Sequence, residues 1–135
     1  MTTTATVRYC GGLHCELTHN LSGSQTATDA PTDNQGKGEA FSPTDLLATS
    51  LAASALTIMG IKAQSLGVVL DGAQAEVHKT MAANPRRVAA VRVDFHLSAA
   101  YDAHTRSLLE AAARSCPVAH SLHPDLAQEM VFHYA

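Results

Sequence analysis

This 135-residue chain contains no tryptophan, and aromatic residues make up only 4% of it. Stacking platforms for single-stranded nucleic acid are therefore scarce. Basic residues are in the minority as well: nine Lys and Arg stand against twelve Asp and Glu, for a net charge of −3. The basic footprint that neutralises backbone phosphates is missing, and no nucleic-acid partner is expected. Met1-Thr2-Thr3-Thr4-Ala5 has neither the cationic start nor the apolar stretch of a secretory signal, so a cytoplasmic location is expected. Three cysteines are too few for a disulfide framework and in that compartment read as thiols. Repeats, low-complexity tracts and linkers are also lacking. What remains is one domain over residues 1–135, large enough to bury about two thirds of its unfolded surface.

The chain does have one long apolar helix. Ser42, Pro43 and Asp45 place a hydroxyl at the N-cap, a proline at the first helical position and an acid in the first turn. Gly67 supplies the stop. Between them Leu46, Leu47, Leu51, Ala52, Ala55, Leu56, Ile58, Met59, Ile61 and Leu66 leave no clean polar face, which predicts a helix wrapped by protein on most sides. Asp45 and Lys62 bracket only about 16 residues, short of the roughly 20 that a bilayer requires, so no membrane span is expected. Ser54 sits mid-way along this helix. Ala53-Ser54-Ala55 lacks the glycines and the sharp strand-to-helix turn of a hydrolase nucleophile, and no general base can be assigned beside it. Its hydroxyl is expected to bond the carbonyl of Ser50 one turn back.

The remainder reads as sheet around helices, an α+β fold. Ala5 to Cys10, Leu13 to His19 and Gln25 to Ala30 alternate apolar with polar residues and are separated by Gly11-Gly12 and Asn20-Leu21-Ser22-Gly23, an N-terminal meander. Residues 31–38 form a loop. Val69 to Met81 and Val88 to Ser98 make a hairpin joined by Asn84-Pro85. In its second strand Val91, Val93, Phe95 and Leu97 take one face, and Arg92, Asp94 and His96 the other. A second helix runs from Asp102 to Ser115, Cys116-Pro117 breaks it, and a short turn follows through Val118 to Leu122. Met130, Phe132 and Tyr134 alternate in a last strand.

Cys116 thus caps a helix start. Amide N–H groups there favour a thiolate and predict a thiol pKa below the free value of about 8.5; the competing reading is a buried small apolar residue. Eight histidines raise the question of metal. Cys116, His120 and His123 have helical spacing, and His14 and Cys15 with Cys10 form a second group. Pro117 breaks the first register, no fourth ligand can be assigned, and no metal is expected. Cys10 and Cys15 flank a Gly-Gly turn, where neighbouring strand positions are the expected outcome and a pair of replacement thiols the alternative.

Three segments resemble one family: Gly36-Lys37-Gly38-Glu39-Ala40-Phe41-Ser42-Pro43-Thr44-Asp45-Leu46-Leu47, Ser50-Leu51-Ala52-Ala53-Ser54 and Ser115-Cys116-Pro117-Val118-Ala119 are similar to the osmotically inducible protein C (OsmC) and organic hydroperoxide resistance (Ohr) family. His78 to Arg87 and Ser121 to Asp125 look like one of its subgroups. The resemblance implies an intertwined homodimer in which antiparallel sheet surrounds long central helices. It also implies a thiol peroxidase without metal or organic cofactor. A first cysteine attacks an organic hydroperoxide and becomes a sulfenic acid; a second, at the position of Cys116, condenses with it to a disulfide that an external dithiol reduces.

The family's attacking cysteine falls about eleven residues after the helix-starting proline, which here is Ser54. An alcohol supplies no comparable anion at neutral pH, so the cycle is not expected to run. An introduced Cys-to-Ser change and a native serine both fit. The family's peroxidases also place a glutamate directly after that proline and pair it with an arginine of the N-terminal strands. Here the position holds Thr44, with Glu39 and Asp45 as the nearby acids and Arg8 as the only arginine before the helix. The alternative function is a non-enzymatic binder of a small apolar or fatty ligand in a pocket at the dimer interface.

Overall fold

The structure, a computed structural model, describes residues 2–135 and divides into two compact units, Met1–Leu46 and Leu47–Ala135. In the first, β1 (Ala5–Gly11), β2 (His14–His19) and β3 (Gln25–Asp29) pair antiparallel in that order, the expected meander. Gly11 and Gly12 adopt φ of 86° and 62°, a left-handed pair that turns the chain between β1 and β2. A register shift between Tyr9 and Gly11 leaves Cys10 as the extra residue of a bulge. The loop after β3 contains a single 3₁₀ turn, Thr32–Asn34, which the composition did not announce. Asp29 fastens this loop: its carboxylate accepts the Glu39 N–H at 3.0 Å and meets His14 Nδ1 at 2.6 Å. Gly36 has no alternative here, since a Cβ would lie 1.7 Å from the Ala30 carbonyl oxygen.

Helix α1 (Pro43–Leu66) begins where its signals predict. Ser42 Oγ accepts the Asp45 N–H and the Asp45 carboxylate accepts the Ser42 N–H, each at 3.0 Å, a reciprocal capping box. It ends at Gly67, whose φ is 70°, with the Val68 N–H returning to the Ala63 carbonyl at 3.0 Å. Beyond Leu46 the helix enters the second unit, where Ala48, Leu51, Ala52, Ala55, Met59 and Ala63 form one buried stripe. By length and composition alone α1 is long and apolar enough to cross a membrane; the buried stripe, however, joins the core of this unit.

The expected wrapping on most sides is not met within the chain: Ile61 is 59% and Leu47 41% exposed, and Ala53 and Thr57 are open too. A helix that is apolar all round contains no polar face to mark which side stays uncovered.

The second unit adds β4 (Gln74–Ala82), β5 (Arg87–Leu97), α2 (Ala103–Arg114), α3 (Pro117–Ser121) and β6 (Ala127–Tyr134), with β5 central in the sheet. β4 and β5 form the expected antiparallel hairpin, though β4 starts at Gln74 because a turn around Gly72, φ 86°, occupies the preceding residues. β6 departs from the all-antiparallel expectation: it lies parallel to β5, from Ala90 opposite Ala127 to Leu97 opposite Tyr134. The helical crossover between them is the long connection that a parallel neighbour requires. Val91, Val93 and Phe95 of β5 meet Leu51, Met59, Leu109 and Cys116 in the core, and Phe95 stacks on Phe132 with ring centroids 4.9 Å apart. Each such large apolar side chain contributes about 1.5–3 kcal/mol by leaving water.

Candidate functional site around Ser54 and Cys116

The site is set by the break between α2 and α3. α2 opens at Asp102, whose carboxylate accepts the Thr105 N–H at 2.8 Å and is held below its ordinary pKa by that bond. It closes at Ser115. Cys116 is extended, with φ −68° and ψ 153°, and Pro117 occupies the first position of α3, the arrangement its sequence predicts. The Cys116 side chain makes no capping bond and is wholly buried in the core, as the small-apolar reading requires.

That geometry leaves a donor to be satisfied. Proline has no N–H, so Val118 carries the first free amide of α3, and Cys116 does not accept it. Ser54 does: its Oγ accepts the Val118 N–H at 3.4 Å. The expected bond to the Ser50 carbonyl is therefore replaced. Ser50 and Thr57 do bond back along α1, to Leu47 O at 2.6 Å and Ala53 O at 2.8 Å, whereas half-buried Ser54 turns to α3. A tertiary acceptor satisfies an orphan amide that the helix's own cap leaves open. The side chain at position 54 thus meets the turn that begins with Cys116. Val118 was the unforeseen participant; its signal was the proline before it combined with a cap residue that is a poor acceptor.

The other candidates have partners of their own within the first unit. Asp45 is half of the capping box, and Thr44 Oγ1 lies 3.2 Å from Ser42 Oγ, so both serve the start of α1. Glu39 bonds Asp29 through its backbone, and its residue is exposed. Arg8 pairs with Glu16 at 2.7 Å across β1 and β2, which lowers the Glu16 pKa. Cys15 lies opposite Tyr9 in the ladder, and the Cys10 thiol, at the bulge, donates to the Arg8 carbonyl at 3.6 Å; both cysteines are free thiols.

Among the described residues no three His, Cys, Asp or Glu side chains converge on a point that could hold a metal ion. His14 is engaged by Asp29, and the bond holds the Asp29 carboxyl below its usual range. His123 accepts the Asp125 N–H at Nδ1, 3.0 Å away. On the outer face of the second sheet, Asp94 is only 7% exposed although the alternation assigned it to the polar side. Arg92 forks onto its carboxylate at 2.9 and 3.0 Å and His133 closes from β6 at 2.8 Å; the guanidinium is the main cause that pushes the Asp94 pKa well down.

The family model for OsmC-like protein matches residues 36–129, which span the start of α1, Ser54, Cys116 and α3. A crystal structure from Psychrobacter arcticus 273-4, of a protein described as an osmotic stress induced and detoxification response protein, is 49% identical. It covers 98% of this chain and 97% of its own, with a TM-score of 0.96. An OsmC-like protein from Mycoplasma pneumoniae superposes with a TM-score of 0.82 at 13% identity, covering 100% and 98% of the two chains. An organic hydroperoxide resistance protein OsmC from Legionella pneumophila gives 0.76 at 16% identity, covering 98% of each chain. No curated protein matches the sequence. With the family model spanning most of the chain and a relative this similar over its whole length, the protein belongs to the OsmC family.

Proposed function

We propose that this protein is built for thiol-dependent reduction of organic hydroperoxides in the cytoplasm and is held without turnover by Ser54. The observation that carries the reading is the bond from Val118 N–H to Ser54 Oγ, because it puts the side chain of position 54 at the turn that presents Cys116. The relative named for hydroperoxide resistance supports the substrate class.

In the active form a thiolate at position 54 attacks the terminal peroxide oxygen. The O–O bond breaks, the thiolate sulfur is oxidised to a sulfenic acid, and the alcohol leaves with a proton. The Cys116 thiol then attacks that sulfur, forming a disulfide and releasing water, and an external dithiol takes up the oxidising equivalents by exchange. Ser54 stops the sequence at its first step, since an alcohol has neither the anion nor the oxidation ladder of a thiol. No metal or organic cofactor enters.

A homodimer belongs to the same proposal. The open apolar side of α1, with Leu47 and Ile61 exposed, is the kind of surface a second copy would cover. The test is peroxide consumption: Ser54→Cys is expected to reduce cumene hydroperoxide with a dithiol, the unaltered chain not. A Ser54→Cys protein that folds yet consumes no peroxide overturns the proposal.

A further inference from the structure

Ser54 Oγ, which accepts the Val118 N–H, meets no other donor among the described residues. Charge is scarce around it. α1 carries no charged side chain between Asp45 and Lys62, and the inward residues of β5 are Val91, Val93 and Phe95. α3 brings only His120, which is exposed, and Cys116 makes no capping bond. On α2, Arg114 is turned to the Phe132 ring and to Glu110. Within the second unit, therefore, an anion at position 54 would have one hydrogen-bond partner, a backbone amide, in half-buried surroundings. Burial alone disfavours such an anion, whereas a hydrogen bond to its charged form favours it.

The bond is also long for oxygen: it measures 3.4 Å, against about 2.7–3.2 Å for an ordinary N–H···O contact. Sulfur is larger and stands farther from Cβ, and in this protein the contact between Cys10 Sγ and the Arg8 carbonyl oxygen spans 3.6 Å. The spacing at position 54 is slack for a hydroxyl and suits a thiolate. We propose that the Val118 N–H is the activating donor of this site: it holds a sulfur at position 54 as the anion, the proton passing to solvent. The sequence offers this amide to Cys116, but the structure gives it to position 54, which divides the two positions into attacker and resolver. The inference deepens the hydroperoxide reading and rests on it for its use.

The test uses no peroxide. A full chain with a single thiol, Ser54→Cys with Cys10→Ser, Cys15→Ser and Cys116→Ala, is alkylated with iodoacetamide across a range of pH. The rate is expected to rise with a midpoint at least about one pH unit below the free thiol value of about 8.5. Adding Val118→Pro, which deletes the N–H, should raise that midpoint by about the same amount, whereas Val118→Ala, which keeps the N–H, should not. Because proline at 118 also constrains the backbone of Pro117, the amide itself is followed by NMR in the single-thiol chain, where the Val118 proton should move downfield with the same midpoint. A midpoint at the free value, a midpoint unmoved by Val118→Pro in a folded chain, or a Val118 proton that ignores the titration would each overturn the proposal. A titrating amide in a Ser54→Cys protein that consumes no peroxide would sink the hydroperoxide reading and leave the donor standing; peroxide turnover with a midpoint at the free value would do the reverse.

Discussion

Ser54→Ala removes the acceptor for the Val118 N–H while leaving the rest of α1 intact. The bond is 3.4 Å long, beyond the usual N–H···O range, and it lies in a half-buried setting where water can partly replace it. Both facts place its worth at the lower end of the range for a capping interaction, about 0.5–1 kcal/mol. For a chain of this size that is a fall of roughly 2–4 °C in Tm. The more pointed readout is amide exchange at Val118, where the same energy is a two- to fivefold loss of protection, roughly, if exchange proceeds by opening α3. Amides in the β4–β5 hairpin should change only as far as global stability does. Unchanged exchange at Val118, with unchanged Tm, would show that residue 54 does not support the turn at Cys116.

Ser42→Ala breaks the capping box of α1 and should cost about 1 kcal/mol in urea unfolding; a midpoint equal to that of the parent would refute the assignment. Asp94 has its folded pKa depressed by Arg92 and His133. Its stabilisation is therefore present above the unfolded carboxyl pKa of about 3.9 and is lost as pH falls towards the folded value. The Tm gap between the parent and Asp94→Asn should be widest above about pH 5 and close on acidification, whereas a gap independent of pH contradicts the network. Ile61→Asp puts a charge on the open side of α1 and, under the proposed homodimer, should lower the sedimentation coefficient from that of a dimer to that of a monomer; an unaltered coefficient counts against a dimer through this face.

The parts of the fold legible in the sequence were those fixed by local chemistry. Ser42-Pro43 with Asp45, and Gly67, are capping signals, and each sits where the structure starts or stops α1. The hairpin faces followed from strict alternation in β5. The parallel placement of β6 did not, because the alternation of Met130, Phe132 and Tyr134 fixes a strand but not the direction of its neighbour. The contact that Ser54 makes was not legible in the sequence. A back-bond to Ser50 is the local option for a helical serine, and it loses to an unsatisfied amide 64 residues away in sequence. Similarly, Asp94 is buried by Arg92 two residues on the same strand and by His133 from β6, a closure that exists only once the sheet has formed.

Thr44 stands where the resemblance places the activating glutamate, so under the proposed function Ser54→Cys combined with Thr44→Glu should consume peroxide faster than Ser54→Cys alone, and equal rates would contradict a role for that position. The central claim is narrower: position 54 and Cys116 form one redox site. The measurement that tests it is peptide mapping of Ser54→Cys after treatment with one equivalent of cumene hydroperoxide. The account predicts a disulfide joining the introduced thiol to Cys116, and in Ser54→Cys combined with Cys116→Ser a sulfenic acid that goes no further. An introduced thiol left unoxidised, or joined to Cys10 or Cys15 in place of Cys116, would contradict it.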